Sequence, residues 1–209
     1  MHALTLTWNV DGLLVTMPHK FSAFAYCEIS SDTARLLGGV SVMRRNADGT
    51  WHGDMLDGLA FVKAQIDHGA RVKDERALLL GAGAAGSAIA IALLEAGIGE
   101  LIIHDAEESR ANRLNELVAD LGRGRERVGP ADPAGCTLVF NATPMGLAEN
   151  DPLPVPGGLL DSSMFVGDVI AGHGMTPLLK TAQSAGCKTA NGAQMVDAVQ
   201  EMMLDFFLG

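Results

Sequence analysis

Residues 76–86 read RALLLGAGAAG, and the chain continues SAIAIALLEA over 87–96. A short apolar run ends in a glycine-rich turn, and small and aliphatic residues follow. That is the order in which a buried strand feeds a helix packed close against it. Gly81, Gly83 and Gly86 occupy the three glycine positions of GxGxxG. The first permits a tight turn, the second lets a pyrophosphate approach the main chain, and the third lets helix and strand backbones meet. Ala84 and Ala85 open the helix, where unpaired N–H groups would face the phosphates. The pattern is weak alone; the strand before it and the helix after it supply the context it needs. The next apolar run, 101–104, leads to Asp105, 19 positions beyond Gly86. A carboxylate there accepts hydrogen bonds from the ribose hydroxyls of NAD and repels the extra phosphate of NADP. The expected cofactor is therefore NAD, with NADP disfavoured. Glu107 and Glu108 deepen the negative field, and Arg110 offsets part of it.

Beyond this unit, helices are expected over 107–121, 176–185 and 192–208, and strands over 137–141 and 165–170. Alternating strands and helices imply a parallel sheet with right-handed crossovers. Upstream, ALTLTW at 3–8 alternates in period two and predicts a strand. Residues 13–17 predict a buried strand stopped by Pro18. A helix is expected over 21–29, and Ser31 or Asp32 caps a short helix ending at the pair Gly38 and Gly39. Residues 40–45 and 50–55 flank the turn-rich NADG at 46–49 as a hairpin. A helix over 57–67 closes the region. The fold class is α/β. A Rossmann-type parallel-sheet domain over 71–189 is expected beside a smaller α/β domain over 1–70, completed by a helix within 190–209.

With 48% hydrophobic and 19% charged residues, the chain has the means to bury a core. A net charge of −10 repels phosphate backbones and anionic lipid, so nucleic acid and membrane partners are not expected. Cys27, Cys136 and Cys187 are odd in number and form no CxxC, which argues for reduced thiols and against a zinc site. No apolar run approaches the roughly 20 residues of a membrane helix, and no leader pattern opens the chain; a cytoplasmic protein is expected. His19, His52, His104 and His173 show no ligand spacing on one helix, and no metal is expected.

VTMPHK at 15–20 resembles the signature of shikimate and quinate dehydrogenases. GDMLDGLAF at 53–61, GAGAAG at 81–86, NATPMGL at 141–147, DVIAGHGMTPLL at 168–179 and GAQM at 192–195 resemble later segments of that family in the same order. The resemblance implies a substrate domain followed by a Rossmann domain, with the last helix returning to the first. It implies reversible hydride transfer between a nicotinamide and a ring carbon bearing a ketone or hydroxyl. Lys20 and Asp57 match the family's catalytic pair. By residue type alone, Lys20 also reads as a surface lysine and Asp57 as a helix cap. Thr16 matches a substrate-contacting threonine. Asn141, Thr143 and Met145 match the segment lining the nicotinamide, and Val169 and Gly192 fall on its cofactor side.

The departures fall on the substrate side. The family's Ser-x-Ser pair, which grips a substrate carboxylate, precedes anything in this chain. A missing strand would expose a sheet edge, which invites pairing with another chain as a homo-oligomer. Ser41 stands where the family has a substrate-binding asparagine, Met55 and Leu56 replace Asn-Thr, Ala171 replaces a tyrosine and Val199 a glutamine. Smaller and more apolar residues imply a roomier pocket, and losing hydrogen-bonding groups lowers selectivity for a hydroxylated acid. The reading is an NAD-dependent dehydrogenase of a shikimate- or quinate-like acid. The alternative is a dinucleotide-binding protein without turnover, such as a sensor.

Overall fold

A computed structural model of the chain describes residues 2–148, 150–172 and 174–208. Contacts divide it into two compact units, Met1–Asp57 with Val199–Gly209, and Gly58–Ala198. The expected boundary after residue 70 lies elsewhere because the helix over 58–67 buries Ala60, Phe61, Ala64 and Gln65 within the second unit.

The first unit begins with α1 (His2–Leu6), β1 (Gly12–Leu14), α2 (Lys20–Phe24), β2 (Ile29–Ser30), α3 (Asp32–Leu37), β3 (Val42–Arg45) and β4 (Trp51–Asp54). The strands form one sheet in the order β1-β3-β4-β2. The β3–β4 hairpin is antiparallel, β1 is antiparallel to β3, and β2 is parallel to β4. Local chemistry sets the short helix α3. The Ser31 hydroxyl accepts the Ala34 N–H at 3.2 Å, and Gly38 ends the helix in the left-handed conformation at φ 63°.

Three expectations fail here. Residues 3–8 form a helix and turn, not a strand. Period-two alternation needs a partner strand, whereas this segment satisfies itself: the Thr5 and Thr7 hydroxyls donate to the carbonyls of His2 and Ala3 at 2.9 and 2.7 Å. Arg45 then donates to the Thr5 and Thr7 carbonyls, at 2.9 and 3.0 Å. Of the run 13–17 only residues 13 and 14 belong to a strand, the edge strand β1; Val15 alone is buried, while Leu14 and Met17 are exposed. Finally, α2 stops at Phe24, and Ile29–Ser30 pairs with β4 instead of continuing a helix.

The second unit holds α4 (Asp57–Asp67) apart from its first residue, β5 (Arg76–Leu80), α5 (Ala84–Glu95), β6 (Glu100–His104), α6 (Glu108–Ala119), β7 (Glu126–Val128), β8 (Leu138–Asn141), β9 (Phe165–Asp168), α7 (Pro177–Ser184), β10 (Lys188–Ala190) and the start of α8 (Gly192–Leu208). All six strands run parallel in the order β10-β9-β8-β5-β6-β7. The order reverses direction between β5 and β8, and a ligand crevice forms at the strand ends of such a point. Leu78, Leu79 and Leu80 are all buried, as expected for a central strand covered on both faces. Phe61 of α4 meets Phe140 of β8 edge to face, with ring centroids 5.4 Å apart. Strands β7 and β10 escape the pattern reading: ERV and KTA are short edge segments with almost no apolar signal.

Candidate active site

In the first unit, Lys20 opens α2 directly after the Pro18-His19 turn, and Asp57 opens α4. Their side chains form an ion pair between Lys20 Nζ and Asp57 Oδ2. At 13% and 17% side-chain exposure, the pair is screened from most solvent. Asp57 stands in the first turn of α4. A lysine ammonium that keeps one carboxylate partner and has two further N–H groups is equipped to give a proton to, or take one from, a reacting oxygen.

Ser41 sits differently from expectation. It is 2% exposed, its main-chain N–H donates to the Asp54 carbonyl at 2.8 Å, and its hydroxyl accepts the Leu56 N–H at 2.9 Å. Its oxygen is thus directed at the segment that leads into Asp57, not outward where a substrate would find it. Thr16 is exposed, and its carbonyl accepts the His19 N–H at 2.9 Å, closing the turn before Lys20.

In the second unit, the glycine turn has the geometry of a phosphate cradle. Gly81 has φ +98°, a left-handed conformation costly for other residues, and a Cβ there would lie 2.9 Å from the Ala142 carbonyl oxygen. A Cβ on Gly86 would lie 1.9 Å from the Gly81 carbonyl oxygen, so the α5–β5 contact admits no side chain. Gly83 differs: nothing stands within 4 Å of a Cβ built there, which leaves open space over the first turn of α5. Ala84 and Ala85 form that turn and are half-buried. This is the space and the donor set that a dinucleotide pyrophosphate requires.

Asp105 follows β6 and turns inward. Its Oδ2 accepts the Ala82 N–H at 2.7 Å and its Oδ1 accepts the Glu107 N–H at 2.9 Å. The carboxylate therefore braces the glycine turn and its own loop. Glu107 faces Arg110 at 2.8 Å and Arg113 at 4.0 Å.

Across the sheet, Asn141 ends β8 in register with Asp168, which ends β9. Asn141 Oδ1 accepts the Thr143 N–H at 3.0 Å and the Thr143 hydroxyl at 2.6 Å. Its Nδ2 donates to the Met145 carbonyl at 3.2 Å and to Asp168 Oδ1 at 3.1 Å. Thr143 Oγ1 accepts the Met145 N–H at 3.1 Å. Asn141, Thr143 and Met145 are thus one hydrogen-bonded loop. Val169 N–H donates to the Asn141 carbonyl at 3.1 Å. A Cβ on Gly192 would lie 2.5 Å from the Val169 carbonyl, so α8 starts hard against the same loop. Asp168 and Thr176 were not singled out by sequence reasoning as site residues. The available signal was a carboxylate at the end of a parallel strand beside the asparagine-bearing one. Among the described residues no group of three or more His, Cys, Asp or Glu could hold a metal ion; His173 lies outside them.

No family model matches the chain. The curated shikimate dehydrogenase (NADP(+)) of Stenotrophomonas maltophilia is 34% identical over 189 residues, covering 88% of this chain and 67% of that protein. The chain belongs to the shikimate dehydrogenase family. Members of this family are oxidoreductases acting on CH–OH groups. The shikimate 5-dehydrogenase structure from Thermus thermophilus, in complex with NADP(H) and shikimate, superposes with TM-score 0.87 at 29% identity, covering 99% of this chain and 76% of that one. The ligand-free 5-ketofructose reductase of Gluconobacter sp. strain CHM43 gives TM-score 0.87 at 28% identity, covering 100% and 76%. The chain spans 62% to 67% of the length of the curated relatives it matches. The relatives also correct the cofactor expectation. The curated shikimate dehydrogenases are named for NADP(+), so the preference for NAD read from Asp105 does not hold. Asp105 also has a second task in the structure: each of its oxygens accepts one main-chain N–H, so part of the carboxylate's acceptor capacity goes to bracing the glycine turn and its own loop. No helix among the described residues is long and apolar enough to cross a membrane.

Proposed function

We propose that the chain carries the reaction centre and the dinucleotide cradle of an NADP-dependent shikimate dehydrogenase-type enzyme. It would interconvert a ring ketone and hydroxyl on a small hydroxylated acid. The observation that carries the reading is the shielded Lys20–Asp57 ion pair, in a chain that also bears the open GAGAAG cradle. When bound, the nicotinamide supplies or accepts the hydride. Lys20 Nζ donates a proton to the carbonyl oxygen as charge builds there, and takes it back in the oxidative direction. Asp57 Oδ2 holds the ammonium in place. Thr16, beside this turn, contacts the substrate. Gly81, Gly83, Ala84, Ala85 and Gly86 hold the pyrophosphate, and the Asn141–Thr143–Met145 loop with Val169 and Gly192 contacts the nicotinamide. Arg110 and Arg113 on α6 are the guanidiniums closest in sequence to the turn after β6, and they supply the countercharge for the extra phosphate.

One observation favours a second substrate class. The Ser41 hydroxyl is committed to Leu56 and Met55 is buried, so two positions at which the family's substrate anchors stand offer no polar contact. The 5-ketofructose reductase structure matches over 100% of this chain at TM-score 0.87, which makes a neutral polyhydroxy ketone the second substrate class to test.

The test is formation or loss of reduced-nicotinamide absorbance with NADP(H), against shikimate, quinate and 5-ketofructose. Turnover that falls by about 10²–10⁴-fold in Lys20→Ala, with NADPH binding retained, supports the assignment. Equal turnover in the variant would remove Lys20 from the chemistry. Turnover confined to the neutral ketose would select the second substrate class.

A further inference from the structure

Asp168 is a fully buried carboxylate at the C-terminal end of β9. Its Oδ1 accepts from Asn141 Nδ2 at 3.1 Å and from the Ile170 N–H at 3.0 Å, and its Oδ2 accepts the Thr176 hydroxyl at 2.8 Å. Thr176 is itself the N-cap of α7, accepting the Leu179 N–H at 3.4 Å. One side chain therefore ties together the ends of two adjacent strands and the start of a helix.

The consequence for Asn141 is orientational. A side-chain amide inserted the other way round would turn its oxygen toward Asp168. An acceptor-only carboxylate excludes that arrangement and forces the NH2 end to face it. With Nδ2 directed at Asp168, Oδ1 is left to receive the Thr143 N–H and hydroxyl. Thr143 in turn receives the Met145 N–H. The conformation of the 141–145 loop is thus set by an acceptor oxygen of a residue that is itself fully buried.

We infer that Asp168 is a positioning residue for the nicotinamide end of the dinucleotide site, acting through Asn141 and not by contact. This rests on the proposed role of the Asn141–Thr143–Met145 loop. The glycine cradle at 81–86 is braced separately by Asp105, so the two ends of the dinucleotide site respond to different carboxylates. A defect at Asp168 therefore weakens binding of an intact dinucleotide but spares a ligand that lacks the nicotinamide. A merely structural role would weaken both alike.

The experiment compares NADPH, followed by its fluorescence, with adenosine 2′,5′-bisphosphate, followed by calorimetry, on the full chain and its variants. Asp168→Ala is expected to lose about tenfold or more in NADPH affinity, the scale of a hydrogen bond to a charged group, while the bisphosphate binds as to wild type. Asp168→Asn retains an oxygen for Asn141 and Ile170 and is expected to recover most of the loss. Should Asp168→Ala fold poorly, Thr176→Val removes one hydrogen bond to the same carboxylate and is expected to show a smaller loss of the same selectivity. Unchanged NADPH affinity in Asp168→Ala, or equal losses for both ligands, would overturn the inference while leaving the proposed function intact. Failure of the wild-type chain to bind NADPH would overturn both.

Discussion

Asp105 and Cys27 show how the environment redirects a side chain whose type suggests another role. Asp105 stands at the expected spacing after the glycine turn, yet its two oxygens hold the N–H groups of Ala82 and Glu107. Asp105→Ala is therefore expected to weaken NADPH and NADH by a similar factor, about tenfold, by loosening the turn. Paired binding titrations check this; a loss confined to NADH would return Asp105 to the role of reading the ribose. Cys27 is a thiol that burial, helped by the neighbouring charge of Glu28, pushes up to about 11. Nucleophilic reactivity belongs to the thiolate. At about pH 8, alkylation of native Cys27 is expected to run on the order of a hundredfold slower than in the unfolded chain, the factor that follows from a shift of about two pH units. Mass-resolved labelling of native and denatured protein measures the ratio, and comparable rates would show that the thiol is not shielded.

Between secondary-structure elements, glycines set the distances. Gly86 lets α5 start against the end of β5, and Gly58 lets α4 approach α5, where a Cβ would stand 2.0 Å from the Ala88 carbonyl oxygen. Both contacts are with backbone, which has little freedom to retreat. Gly58→Ala and Gly86→Ala are each expected to destabilise the chain by about 1–3 kcal/mol, the range for overpacking a well-filled interior. Gly86→Ala is also expected to abolish dinucleotide binding, because it moves the turn, whereas Gly58→Ala spares it. Denaturant unfolding together with an NADPH titration separates the two effects. Full binding by Gly86→Ala would mean that the cradle tolerates a shifted helix.

Global stability should carry the signature of the buried carboxylate. Burial holds the Asp168 carboxyl above its ordinary range, and hydrogen bonds from Ile170, Thr176 and Asn141 offset only part of that. A group that binds its proton more tightly in the folded chain stabilises the fold most below the ordinary carboxylate range. That contribution is lost as pH rises through the folded value. Asp168→Asn cannot ionise. Wild type is therefore expected to lose stability relative to Asp168→Asn between about pH 4 and pH 7. Denaturant midpoints of both proteins at the two pH values test the sign; a relative gain by wild type would mean the hydrogen bonds outweigh burial.

Some of this was legible in the chain alone, because it depends on neighbours in sequence. The limits of α4 and β5, the cap at Ser31 and the conformation of the glycine turn follow from periodicity, side-chain oxygens and φ preferences acting over a few residues. The α/β class and the shikimate dehydrogenase family follow from such segments in their order along the chain. Other features needed the folded chain, because distant partners decide them. Whether 3–8 becomes a strand depends on a neighbouring edge, and Arg45, at least 38 residues away, takes its carbonyls instead. Whether Asp105 faces a ribose or a main-chain N–H, and whether Ser41 faces a substrate or Leu56, depends on which groups folding leaves unsatisfied nearby. Burial makes an unpaired polar group costly, so each side chain turns to the nearest partner it finds. The identity of that partner is a property of the packed interior and leaves no trace in local sequence.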